Sequence, residues 1–273
     1  MPTPLHYVDT QVDTHADNGD DNSKGIPLVV IHGLFGNADN WRSHVKAWQD
    51  VRRVIAVDLR NHGRSPHLAG MGYAEQAEDV VALLDRLGIE QAHLLGHSMG
   101  GKVVISVARQ YPQRVASLIV ADIAPQAYGH DHDTVFAALR RVAKGKPANR
   151  READELLAEH VDERPVRLFL ATNLERAEEG GLTLRLGLDE IEADYEAIMG
   201  APAGRSPYHG PTLVLRGAHS HYVADAALPA LREVLPKAQI KTLDAGHWLH
   251  AEQPEAFREA VDNFLAELGP RGV

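Results

Sequence analysis

The stretch Ala92-His93-Leu94-Leu95-Gly96-His97-Ser98-Met99-Gly100-Gly101-Lys102 decides the fold. Ala92 to Leu95 has the length and largely apolar character of a core strand. Met99 to Tyr111 has helical spacing and is closed by Pro112. Between them stands Gly-His-Ser-Met-Gly, a G-x-S-x-G pattern in the strand-to-helix context that gives the pattern meaning. Glycines flank Ser98 because so tight a turn leaves no room for side chains, and the turn holds the serine at strained dihedrals. The hydroxyl then projects from the carboxyl end of the sheet. The N–H of Met99 lies at a helix start, where backbone donors are unpaired and the dipole favours a developing oxyanion.

Outward from this turn, strands and helices alternate. Pro27 to Ile31, Val54 to Val57 and Val115 to Ala121 read as further core strands, and Leu5 to Val12 as an edge strand. Tyr73 to Leu87 reads as a helix whose stripe is Ala77, Val80, Val81, Leu84 and Leu87, stopped by Gly88. A shorter helical stretch covers Asn40 to Gln49. This alternation predicts a mainly parallel sheet flanked by helices. From about residue 123 to 208 the pattern turns helical, with candidates at Asp131–Ala143, Arg150–His160, Glu163–Leu174 and Leu186–Met199. Strands return at Pro211–Arg216 and Ala238–Leu243, separated by a helix at Ala224–Val234 and followed by a helix at Pro254–Leu268. The expected organisation is a core over 1–123, a helical cap over 124–208 inserted before the penultimate strand, and the rest of the core over 209–273.

A nucleophilic serine needs a base. Sixteen histidines are present, so position must choose. His247, in Asp244-Ala-Gly-His-Trp248, follows the last strand and lies at the same sheet edge as Ser98. An ordinary histidine is largely neutral at pH 7, as a base must be. His32 also ends a strand and reads as a loop organiser with a lesser claim to the chemistry. His97 flanks the serine, with its side chain expected to point into the surroundings of the turn, and His62, His219, His221 and His250 read as surface or packing residues. An acid should orient the imidazole. Asp122 ends the strand before the cap and falls between serine and histidine in the chain; Asp225 and Asp244 are the alternatives. The loop His32-Gly33-Leu34-Phe35-Gly36 offers the N–H of Leu34 as a second oxyanion donor. Phe35, Trp41, His32 and Trp248 are candidates for the pocket wall, and Leu139, Phe169, Leu170, Leu174, Tyr195 and Met199 for the cap side of the cleft.

Composition narrows the alternatives. There are 273 residues and no cysteine, which removes disulfides, thiolate nucleophiles and Cys-ligated metals. The net charge of -10 argues against a nucleic-acid partner. Asp9, Asp13, Asp17, Asp20 and Asp21 read as a solvated acidic stretch with a turn at Gly19–Asn22, their spacing unlike that of an ion loop. No phosphate-loop pattern and no H-E-x-x-H helix occurs, so no cofactor and no metal is expected. The N-terminus lacks a basic stretch followed by an apolar run, and no apolar run is long enough to span a bilayer. The expectation is a cytoplasmic chain, a monomer or weak homo-oligomer, acting on a small acyl ester and water.

Taken together, these residues resemble a known family. The segments are His32–Gly36 with Asn40-Trp41, Asp58–Ser65, Gly96–Lys102, Ala121–Pro125, Arg216–Val223 and Ala245–Trp248. They resemble the α/β-hydrolase superfamily, and within it small bacterial esterases related to the mitochondrial abhydrolase-domain-11 protein. The resemblance implies Ser98 as nucleophile, His247 as base, Asp122 as acid, and the amides of Leu34 and Met99 as the oxyanion hole. It also implies that Ser220 joins the hydrogen-bond network around the histidine. The implied activity is that of a short- to medium-chain serine carboxylesterase. Thioesterase, lactonase, carbon–carbon hydrolase or cofactor-free perhydrolase chemistry could use the same triad. Haloalkane dehalogenases and epoxide hydrolases would need an aspartate where Ser98 stands. A non-catalytic binding protein of this fold is the alternative from another class.

Overall fold

The computed structural model describes residues 2–11 and 25–269. The acidic stretch from residue 12 to 24, with its expected turn and the end of the expected edge strand, lies outside them. Seven strands form one sheet. In chain order they begin with β1 (Tyr7–Asp9), β2 (Leu28–Ile31), β3 (Val54–Val57), β4 (Ala92–His97) and β5 (Val115–Ala121). Two more short strands, β6 (Leu174–Arg176) and β7 (Leu182–Leu184), form a separate hairpin. The main sheet then resumes with β8 (Thr212–Gly217) and β9 (Ala238–Leu243). The order across the sheet is β1-β3-β2-β4-β5-β8-β9. Only β1 runs antiparallel, pairing Tyr7 with Val57 at the edge. Strands β2 to β5 are buried along their whole length, as continuous apolar runs in a doubly covered parallel sheet should be.

Helices cover both faces. They are α1 (Arg42–Trp48), α2 (Tyr73–Arg86), α3 (Met99–Gln110), α4 (Asp133–Gly145), α5 (Arg150–Ala158), α6 (Arg164–Leu170), α7 (Leu188–Ala193), α8 (Tyr195–Met199), α9 (Leu228–Val234), α10 (Leu249–Glu252) and α11 (Pro254–Glu267). One core, under α2 and α3, runs on into the inserted helices through Phe136, Leu139, Ile191 and Tyr195. The other packs Trp41, Trp48, Phe257 and Phe264 against Val30, Leu95 and Leu215.

The inserted region departs from an all-helical expectation in two places. The helix expected to reach Leu174 stops at Leu170, and β6 and β7 follow as a hairpin through Gly180 and Gly181, both at positive φ. The helix expected over Leu186–Met199 is two, split at Asp194. That carboxylate accepts the N–H groups of Gly70 and Met71 at 2.7 and 2.8 Å, so the chain turns there to reach the core.

The insertion is anchored by an unusual cation. Lys102, four residues past Ser98, is 2% exposed. Its Nζ donates to the carbonyls of Gly200 at 2.6 Å and Met199 at 3.2 Å and lies over the rings of Tyr128 and Tyr73. No carboxylate joins these contacts, and burial lowers its pKa from 10.5 to about 8. Between these values the unfolded chain binds a proton that the native chain does not, so this group makes stability rise with pH. Urea unfolding should show the wild type gaining on Lys102→Met from pH 8 to 10.5, by on the order of 1–3 kcal/mol. Parallel pH curves for the two proteins would refute the assignment.

Candidate active site

The sheet order reverses between β2 and β4: the chain leaves β2 toward one edge and returns to its other side. Ligands in open parallel sheets bind at such a point, beyond the carboxyl ends of the strands. Here that point holds the loop after β2 and the turn after β4. They interlock tightly. A Cβ on Gly100 would overlap the carbonyl oxygens of His32 and Ile31, and one on Gly33 would come within 3.1 Å of Ser98 Cβ. Only glycine lets the two backbones approach this far.

Backbone strain is concentrated here. Of the five non-glycine residues with φ between 45° and 65° among the described residues, Phe35, Ser98 and Asp122 belong to this site. Ser98, at φ 53° and ψ -120°, caps α3, and its own N–H is satisfied by the carbonyl of Ala121 at 3.0 Å. Such conformations persist only where the surroundings over-determine them.

Ser98, His247 and Asp122 meet across 149 and 125 residues of chain. His247 Nε2 is 3.0 Å from Ser98 Oγ, and Nδ1 is 2.8 Å from Asp122 Oδ2. Asp122 is fully buried. Its Oδ1 accepts the N–H of Gly217 at 2.9 Å, and its Oδ2 also accepts the Ser220 hydroxyl. Three donors converge on it, as suits a carboxylate, which only accepts. The proton of His247 is thereby held on Nδ1, leaving Nε2 free to accept from the serine. Ser220 thus bonds the acid rather than the imidazole. Asp225 and Asp244, the alternative acids, are exposed and pair with Arg216 and His219.

The neighbouring histidines are backbone splints. His32 Nδ1 donates to the carbonyl of Gly33 at 2.7 Å, and Nε2 accepts the N–H of Leu59 at 3.0 Å. His62 repeats the arrangement, donating to Arg60 and accepting the N–H of Phe35 at 3.1 Å. Burial lowers both pKa values, that of His62 to about 3. His97 Nε2 donates to the carbonyl of His247 at 2.8 Å, fixing the backbone that carries the imidazole.

These contacts revise two candidates for the pocket wall. Both ring nitrogens of buried His32 are used by backbone. Trp41 is stacked on His250 at 4.6 Å within the core on the far face of the sheet. Phe35 packs edge-on against Phe136 and His132 of the insertion, at 5.3 and 5.9 Å. Trp248 touches Phe169 at 5.7 Å. Leu139, Leu170, Leu174, Tyr195 and Met199 are buried in the packing of the insertion. Leu34 follows Gly33, whose backbone approaches Ser98, and Met99 opens α3 directly after Ser98. Tyr222 lies within the Arg216–Val223 segment but takes no role from the sequence; its ring stacks on His247.

Residues 26–254 match the model of the alpha/beta hydrolase fold family, and the chain belongs to that family. It is similar to the sn-1-specific diacylglycerol lipase ABHD11 of Mus musculus, with 40% identity, 97% of this chain and 86% of the relative being covered. It is 34% identical to esterase YbfF of Escherichia coli over 92% of this chain and 96% of that one. Among solved structures, a marine microorganism esterase superposes with a TM-score of 0.88 at 35% identity, covering 96% of this chain and 99% of the other.

Proposed function

We propose that this chain hydrolyses short- to medium-chain acyl esters, with Ser98 as nucleophile, His247 as general base and acid, and Asp122 as the acid that orients it. The chain is an enzyme, an ester hydrolase of the serine type. The observation that carries the assignment is the continuous hydrogen-bonded line from Ser98 Oγ through His247 to buried Asp122. In acylation the hydroxyl proton passes to His247 Nε2 as Oγ attacks the ester carbonyl carbon. The negative charge moves to the carbonyl oxygen, which the amides of Leu34 and Met99 receive. Collapse of this intermediate breaks the ester C–O bond, and the imidazolium returns its proton to the leaving alcohol oxygen. Water then repeats the sequence on the acyl-serine and frees the acid.

The preference for small acyl groups is supported by the aromatic packing between the loop after β2 and the insertion. Phe35 packs edge to face on Phe136, and Phe136 on Tyr195. Among the described residues no helix is long and apolar enough to cross a membrane. The test is hydrolysis of p-nitrophenyl esters from acetyl to dodecanoyl. Turnover should be steepest from acetyl to hexanoyl and decline beyond. Equal or rising rates to dodecanoyl would overturn the chain-length assignment. No turnover of any ester by folded protein would overturn the ester assignment in favour of thioester or perhydrolase substrates.

A further inference from the structure

The rings around His247 are not equivalent. His97 and Trp248 are tilted to it by 42° and 53°, with centroids 4.7 and 6.2 Å away. Tyr222 is stacked, at 4.2 Å and 30°. Its position is held through both backbone groups. The N–H donates to Ser220 Oγ at 3.3 Å, and the carbonyl accepts the Tyr128 hydroxyl at 2.6 Å. Tyr128 Oη in turn accepts the N–H of Ala124, two residues past Asp122, at 2.9 Å. One short turn therefore presents the Ser220 hydroxyl to the carboxylate and the Tyr222 face to the imidazole.

A parallel ring against a neutral imidazole is ordinary aromatic packing. Against an imidazolium it is also electrostatic, because the negative face of the ring attracts a cation within about 6 Å of its centroid. Within the reaction, His247 becomes that cation when it takes the serine proton or the water proton. His97 does not present a stacked face in this way: its ring is tilted by 42° and its Nε2 donates to the carbonyl of His247.

We propose that Tyr222 is a positioning residue of the reaction, whose ring face fixes the imidazole plane and stabilises the imidazolium of both transition states. This rests on His247 acting as the base. Acylation and deacylation both pass through the imidazolium, so weakening the ring face slows both together, lowering kcat while leaving KM in place.

The decisive experiment replaces Tyr222 with Phe, Leu and a series of phenylalanines carrying one, three and five ring fluorines, assayed on p-nitrophenyl acetate. Fluorination empties the π face at nearly constant shape. Tyr222→Phe should stay within about twofold of wild type, and Tyr222→Leu should lose about tenfold in kcat. Across the fluorinated series log kcat should fall steadily, with KM unchanged. A flat series overturns the proposal, because a residue that only fills space tolerates fluorination. The series also decides the matter if the leucine variant misfolds. Ser98→Ala in the same assay separates the two levels: activity surviving that change overturns the triad assignment itself, whereas serine-dependent activity with a flat series overturns the role of Tyr222 alone.

Discussion

Ser98→Ala is expected to reduce ester turnover on the order of 10⁵-fold while leaving the thermal midpoint close to that of the wild type. The size follows from what remains. On the proposed mechanism the amides of Leu34 and Met99 still polarise a bound carbonyl, so a residue of catalysis over free water persists, but no acyl-enzyme forms. Stability should hold because the side chain makes one hydrogen bond, to His247, and Ser98 is only partly buried. The strained φ belongs to the turn and is unchanged by removal of the hydroxyl. Steady-state kinetics and covalent labelling by a fluorophosphonate check the expectation together. Retention of a tenth of the activity, or labelling of the alanine variant, would move the nucleophile elsewhere.

Asp122→Asn should cost about 10⁴-fold in kcat, for a reason the hydrogen bonds make explicit. The two carboxylate oxygens accept from Gly217, Ser220 and His247. An amide has one oxygen and one NH₂. If its oxygen serves Gly217, its NH₂ faces His247 Nδ1. The imidazole must then carry its proton on Nε2, where it cannot accept from Ser98. If the amide flips, the buried N–H of Gly217 loses its acceptor, which costs about 1–3 kcal/mol of stability. Asp122→Asn therefore trades catalysis against folding. Kinetics beside urea denaturation would show which loss is taken, and a variant unaffected in both would contradict the geometry.

The α/β alternation, the insertion before β8 and the meeting of Ser98, His247 and Asp122 at one sheet edge were legible because each follows from apolar run length and position at a strand end. What escaped the sequence depends on distant partners. The break at Asp194 comes from two amides more than 120 residues away in the chain. The β6–β7 hairpin consists of three-residue strands too short for a period of two to show. Trp41 and His32 look like wall residues from their neighbours in sequence. Which side of the sheet a side chain meets, and whether a ring nitrogen is already taken by backbone, are facts of packing. Tyr222 stands in the Arg216–Val223 segment, but its stacking on His247 is likewise a fact of packing.

The buried histidines set a limit of another kind. His62 and His250 are pushed down to about 3 and His44 and His93 to about 4 by burial, and His97 and His32 are lowered as well. Each is a site that the unfolded chain protonates near pH 6.5 and the native chain does not. Their joint effect is stabilising pressure above pH 6.5 that drains away as the pH falls toward 3. Three of these rings, His32, His62 and His97, splint the loops that carry Leu34 and His247, so acid acts on the scaffold of the site. It turns the molecule into a proton sponge whose uptake is coupled to collapse of the scaffold, so that loss of activity and loss of fold converge on the same protons.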